Sequence, residues 1–253
     1  MNGFTAKHAL VTGGGRGIGR AIAVAMTAAG VAVTVTGRSE APLREAVQQK
    51  DAAGYFTADV TDEGALADGI KRAVDERGAI DILVANAGGA ESAPFAKSGA
   101  DMFRRMFDLN LMGTVHAAQA VIGDMAARKF GRIVVIASTA GLKGYPYVSA
   151  YCAAKHALIG LVRSLALETA RSGVTVNAVC PGFTDTDLMR ESIARVIEKT
   201  GRSKGDALEE FTRQNPLGRL IAPEEVAAAV TFLCSDAASG ITGTTMTVAG
   251  GEV

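Results

Sequence analysis

Seven short runs of β-branched and aliphatic residues recur along this chain, and between successive runs there is room for a turn and an amphipathic helix. The runs at 9–12, 31–36, 55–58, 82–85, 133–137, 174–179 and 244–248 are too short for buried helices and too continuously apolar for strands with one wet face. Helical patterns fall between them at 17–29, 41–51, 63–77, 100–128, 151–172 and 223–235. Thr61-Asp62-Glu63 caps the third, Gly78 stops it, and Pro223-Glu224-Glu225 opens the last. Alternation of this kind builds a parallel sheet with helices on both faces. The expected fold is therefore a single α/β domain over 1–253, with a doubly wound seven-stranded parallel sheet.

The 26 Lys+Arg residues balance 26 Asp+Glu, so the chain lacks the basic excess that a nucleic-acid backbone or an anionic membrane rewards. Neither partner is expected. The uncharged stretch between Arg20 and Arg38 approaches membrane-spanning length, but Gly30 and a change from helical to strand periodicity divide it into a helix and a strand. Cys152, Cys180 and Cys234 are odd in number and widely spaced, which suits reduced cytoplasmic thiols rather than a disulfide framework or a CxxC metal site. His8, His116 and His156 have no metal-ligand spacing, and no metal is expected. Residues 183–219 are polar, charged and helix-prone, and an insertion of that size between a strand and a helix reads as a substrate-binding lid.

Glycine accounts for 30 of 253 residues, well above the roughly 7% of an average chain. Five of these glycines crowd into Thr12-Gly13-Gly14-Gly15-Arg16-Gly17-Ile18-Gly19, between the first strand and the first helix. A Walker A loop fails because Arg20-Ala21 stands where Lys-Ser/Thr is required, and a strict GxGxxG fails as well. TGxxxGxG fits, through Thr12, Gly13, Gly17 and Gly19, and it would bring backbone N–H groups of Gly13, Gly15, Arg16, Gly17, Ile18 and Gly19 to a pyrophosphate at a helix N-terminus. After the second strand, Thr36-Gly37-Arg38-Ser39 has no acid before Glu40, the position where NAD-binding folds hold the ribose with a carboxylate. Arg38 and Arg16 together would neutralise a 2′-phosphate, so the expected cofactor is NADP(H). Asp59-Val60, after the third strand, suits an adenine edge. Asn86-Ala87-Gly88, after the fourth, suits a close backbone approach to the cofactor.

Three of the four tyrosines, Tyr145, Tyr147 and Tyr151, precede or open the fifth helical pattern. Only Tyr151 has a Lys four residues on, Lys155, which places phenol and ammonium on one helical face. A cation there favours phenolate and would move a group of pKa about 10 toward acid–base use. Ser138 ends the fifth strand, at the sheet edge where open α/β folds bind ligands. Asn110 interrupts an apolar helical stretch, where it would either orient a relay water or satisfy a buried backbone group. No GxSxG elbow is present, and Cys152 falls off the Tyr/Lys face.

TGGGRGIG at 12–19, the Asn-Ala-Gly of 86–88, Asn110, Ser138, Tyr151-x-x-x-Lys155 and Pro181-Gly182 together resemble the short-chain dehydrogenase/reductase family over essentially the whole chain. The resemblance implies a Rossmann fold with strand order 3-2-1-4-5-6-7. It implies Tyr151 as proton donor, Lys155 tuning it and holding the nicotinamide ribose, Ser138 on the substrate oxygen and Asn110 anchoring a relay water. It also places Pro181, Gly182 and Thr184 near the nicotinamide carboxamide, and implies a homodimer or homotetramer through the helices at 100–128 and 151–172. Within the family the chain is most similar to bacterial 3-oxoacyl thioester reductases, acting on carrier-protein or CoA substrates, and to polyketide ketoreductases. Arg190, Arg195, Lys199, Arg202 and Lys204 either meet a carrier or CoA phosphate or form a solvated helix face. Two alternatives stay open: a dehydrogenase of a small hydroxy acid or alcohol such as 3-hydroxybutyrate, and a non-catalytic NADP-binding sensor.

Overall fold

A computed structural model describes Phe4 and residues 6–253. The seven apolar runs form the strands β1 (His8–Thr12), β2 (Ala32–Gly37), β3 (Gly54–Thr57), β4 (Ile82–Ala85), β5 (Gly131–Ile136), β6 (Val174–Pro181) and β7 (Thr245–Val248). All pair in parallel in one sheet, in the order β3-β2-β1-β4-β5-β6-β7. Every residue of β1, β4, β5 and β6 is buried, because helices cover both faces.

Strand periodicity sorts the core. Leu10, Leu83, Ile133, Val135 and Val176 face one side, beneath α3 (Glu63–Arg77), α5 (Gly113–Ala127) and α6 (Ser149–Thr169). Ala9, Val11, Val33, Val35, Ile82, Val84, Val134 and Val179 face the other, beneath α1 (Gly17–Ala28), α2 (Glu40–Gln48) and α9 (Pro223–Cys234), with α1 packed along α9. The uncharged stretch after Arg20 divides as expected into α1 and β2, turning at Gly30 with φ +94°. Among the described residues no helix is long and apolar enough to cross a membrane.

Two expectations change in detail. The helix expected over 100–128 is broken into α4 (Ala100–Phe107), a π-helical turn (Asp108–Met112) and α5. The segment at 183–219 folds into α7 (Asp187–Thr200) and α8 (Lys204–Thr212), capped by the Thr186 and Ser203 hydroxyls, which accept from Met189 N at 3.3 Å and Asp206 N at 3.2 Å.

Because the strands are parallel, Thr12, Gly37, Ala85, Ile136 and Pro181 all end at one edge of the sheet. The helix that carries Tyr151 and Lys155 is anchored under that edge by Leu158, which is fully buried among the strands. Leu158→Ala is expected to lower stability by about 2–5 kcal/mol, the cost of a buried cavity. Chemical denaturation would measure it, and a loss under about 1 kcal/mol would mean that α6 is not held through this contact.

Candidate active site

The glycine turn is shaped by close approach. Gly13 and Gly17 take left-handed φ values of +64° and +53°. A Cβ on Gly13 would stand 2.8 Å from Asn86 Nδ2, and one on Gly14 would stand 2.6 Å from Val35 Cγ1. One on Gly19 would collide with the Gly13 carbonyl. Thr12 Oγ1 accepts from the main-chain N–H groups of Asn86 and Ala87, both at 3.0 Å, while Asn86 Nδ2 donates to the carbonyls of Thr12 at 2.9 Å and Gly13 at 3.2 Å. The Asn86 Nδ2 group thus braces β1 to β4, ahead of the Ala87-Gly88 backbone.

Arg16, at the N-cap of α1, and Arg38, after β2, are exposed, and among the described residues neither guanidinium makes a hydrogen bond or ion pair. Arg38 contributes to holding Asp59 below its ordinary pKa, behind the larger effect of the Thr61 N–H that Asp59 Oδ1 accepts at 3.0 Å. Val60 is buried, and its carbonyl meets His116 Nδ1 at 2.9 Å. A cradle that a Cβ would fill, beside two exposed guanidiniums that make no hydrogen bond or ion pair among the described residues, is the donor set a phosphorylated dinucleotide requires.

Asn110, Ser138 and the α6 pair Tyr151 and Lys155 arrive from three different parts of the chain. Asn110, in the π-turn, is fully buried. Its Nδ2 donates to the carbonyls of Met106 and Gly89, both at 3.0 Å, and its Oδ1 accepts from Gly89 N at 3.2 Å. A Cβ on Gly88 would lie 2.7 Å from Asn110 Oδ1 and 3.6 Å from Lys155 Nζ, so these three meet at one point. Lys155 is 4% exposed, and its Nζ donates to the Ile136 carbonyl at 2.8 Å and lies 5.7 Å from the Tyr151 ring centroid. The Ser138 hydroxyl accepts from Ala140 N at 3.1 Å and faces the Tyr151 phenol. Burial pushes that phenol above its ordinary pKa, and Ser138 opposes the rise. This direction is opposite to the lowering expected from the Tyr/Lys spacing, because desolvation is the largest effect on the phenol and Ser138 is what opposes it.

Pro181 ends β6 buried, and Gly182 N donates to Val248 O at 3.1 Å. Thr184 is buried, with Oγ1 donating to Gly182 O at 3.0 Å and its backbone bridged to Ile221. Thr186, at the start of α7, lies 3.3 Å from where a Cβ on Gly17 would be, so the 183–219 segment begins against the glycine turn. Its basic residues do not converge. Arg190 pairs with Asp185 and Asp187 at 3.1 and 3.3 Å, Arg202 pairs with Glu210 at 2.9 Å, and Arg195 donates to Ser192 Oγ at 3.0 Å. Lys204 opens α8 and is exposed, and the Lys199 side chain lies outside the described residues. The cysteines are buried and unpaired, with burial pushing the Cys180 and Cys234 thiols up to about 11 and about 12. Of the residues that hold the glycine turn, Thr12 was not among those expected to line the site. Thr12 carried a signal, as the first position of the glycine motif.

A family model described as enoyl-(acyl carrier protein) reductase matches residues 13–252. The chain belongs to the short-chain dehydrogenase/reductase family. It is accordingly an oxidoreductase that uses a nicotinamide cofactor. This reductase is 40% identical over 246 residues to an acetoacetyl-CoA reductase of Rhizobium meliloti (strain 1021), covering 97% of this chain and 98% of the relative. It is 34% identical to a D-beta-hydroxybutyrate dehydrogenase of Cupriavidus necator, covering 98% of each. A crystal structure of a variant actinorhodin polyketide ketoreductase with NADPH superimposes with a TM-score of 0.92 at 33% identity, over 97% of each chain. The Rossmann fold and strand order implied by the sequence resemblance are those observed.

Burial holds Lys155 at about 8, against an ordinary 10.5. Between those values the unfolded chain binds a proton here that the folded chain has lost, so this residue's contribution to stability rises with pH. The Tm of the wild type relative to Lys155→Met should therefore climb from about pH 8 to pH 10. A flat or falling difference in thermal melts would show that the ammonium is not desolvated.

Proposed function

We propose that this protein is an NADPH-dependent reductase that converts the ketone of a 3-oxoacyl thioester, on CoA or a carrier protein, to a secondary alcohol. The observation that carries the reading is the meeting of the Ser138 hydroxyl, the Tyr151 phenol and buried Lys155, whose Nζ lies 5.7 Å from the Tyr151 ring centroid. A phenol and a hydroxyl side by side can give a proton and a hydrogen bond to a carbonyl oxygen whose carbon takes a hydride. A non-catalytic sensor has no use for a proton donor. The acetoacetyl-CoA reductase and ketoreductase relatives support the substrate class.

In this reading the glycine turn, with Asp59, Val60, Ala87 and Gly88, binds the dinucleotide, and Asn86 braces the turn. Arg16 and Arg38 take the 2′-phosphate, while Pro181, Gly182 and Thr184 border the nicotinamide. When bound, NADPH supplies the hydride. Ser138 donates to the substrate oxygen, and Tyr151 delivers the proton to that same oxygen. Lys155 steadies the phenolate left behind and holds the cofactor ribose. Asn110, its amide fully engaged, holds the π-turn and Gly89, and through them any relay water at the turn's main chain. The helices at 183–219 form the lid. Met112 and Leu167, exposed apolar residues beside or on the long helices, support a homodimer or homotetramer, and the three buried thiols support a reducing, cytoplasmic setting.

Reduction of acetoacetyl-CoA, followed as NADPH consumption, should exceed that of free acetoacetate. Tyr151→Phe should lose about 10²–10⁴-fold in kcat, the usual share of a general acid, with NADPH binding unchanged by fluorescence. Full activity in Tyr151→Phe would sink the mechanism. Arg38→Ala should raise KM for NADPH by about 10–100-fold, one or two charge-assisted hydrogen bonds, and leave KM for NADH unmoved. An equal effect on both cofactors would remove the 2′-phosphate assignment.

A further inference from the structure

A carboxylate with no part in the proposed reduction lies at the same edge of the sheet. The Glu252 side chain is 1% exposed, and its Oε1 pairs with Lys143 Nζ at 3.1 Å and accepts from the Tyr145 phenol. Lys143 Nζ also reaches the Glu252 carbonyl at 3.4 Å. The Tyr145 hydroxyl donates its one proton to that carboxylate. The Thr139 hydroxyl, 2.6 Å from the phenol oxygen, then donates to Tyr145. This directed chain starts at the residue after Ser138 and spans the loop between β5 and α6. Burial and the carboxylate both push the Tyr145 phenol up, which keeps it a donor. Glu252 Oε2 is buried without a hydrogen-bond partner among the described residues, 3.0 Å from where a Cβ on Gly182 would stand.

The tail reaches this point through Gly250-Gly251, with φ values of +63° and +91°, and a Cβ on Gly251 would stand 3.3 Å from Pro216 Cγ at the foot of α8. The Tyr145 ring packs edge-on against Phe183 at 5.8 Å between centroids, and Phe183 packs against Phe211 of α8 at 5.2 Å. One buried carboxylate is thereby tied to the Ser138 loop and, through an aromatic row, to the proposed lid.

We propose that Glu252 is a positioning residue: by accepting from Tyr145 and Lys143 it sets the placement of Ser138 and of the Tyr145–Phe183–Phe211 wall, and so governs how the ketone substrate is held. The inference rests on the reductase reading for its substrate, so the assay uses acetoacetyl-CoA and, in parallel, an uncharged cyclic ketone. Glu252→Leu should lower kcat/KM about tenfold, the worth of one hydrogen bond to a charged group. The loss should fall on kcat and on KM for the ketone, with the NADPH Kd within about twofold of wild type. Glu252→Gln, which keeps an acceptor for Tyr145, should recover to within about threefold of wild type. Tyr145→Phe should match Glu252→Leu, and the double variant should be no worse than either, as expected for partners in one bond.

Unchanged kcat/KM with a lowered Tm in Glu252→Leu would make Glu252 merely structural and overturn the proposal, as would losses that multiply in the double variant. If Glu252→Leu does not fold, Tyr145→Phe alone decides, and full activity there has the same meaning. Wild-type activity on the cyclic ketone but not on the thioester would overturn the thioester reading while leaving Glu252 tested on the cyclic ketone. Activity on neither would overturn both.

Discussion

The main chain after β1 comes so close to the main chain after β4 that only unsubstituted backbone fits between them, and the rest of the site is arranged around that approach. A methyl group at Gly13 would strike Asn86, and one at Gly19 would strike the Gly13 carbonyl. Thr12 and Asn86 then clasp the two strand ends with four hydrogen bonds, so the turn's N–H groups are aimed before anything binds. The parallel sheet makes this local constraint a global one. Strands running the same way deliver Ser138, Pro181 and Gly182 to the edge where the turn lies, and α6 returns beneath it with Tyr151 and Lys155.

Burial sets the chemistry of those side chains, and main-chain carbonyls make it tolerable. Lys155 is anchored on Ile136 O, and Asn110 on the carbonyls of Met106 and Gly89, so neither needs a carboxylate partner. Desolvation favours the neutral form of each titratable group. It lowers the pKa of the Lys155 ammonium and raises that of the Tyr151 phenol. Glu252 is paired with Lys143, and its location ties the Ser138 loop to residues 250–252.

Much of this was legible in the sequence because it is periodic or local. Strand runs, the glycine motif and the i, i+4 Tyr/Lys pair are read within a few residues, and their structural counterparts differ only at element ends, as with β5 beginning at Gly131 rather than 133. Asn110 stood out as a polar residue in an apolar stretch, but the break of the helix over 100–128 at that point was not readable. The side-chain roles of Asn86, Tyr145 and Glu252 were not legible, since their partners are 74, 6 and 107 residues away in the chain and follow no spacing rule.

The sequence by itself determined the α/β alternation, the phosphate-binding turn and the residue types of the catalytic set, because each is encoded in short-range pattern and in what glycine alone permits. Only the tertiary structure decided which way the Tyr151 pKa moves, what Asn86 holds and that Glu252 stands beside the Ser138 loop. Burial and long-range contact are properties of the packed chain, and no short-range pattern encodes them.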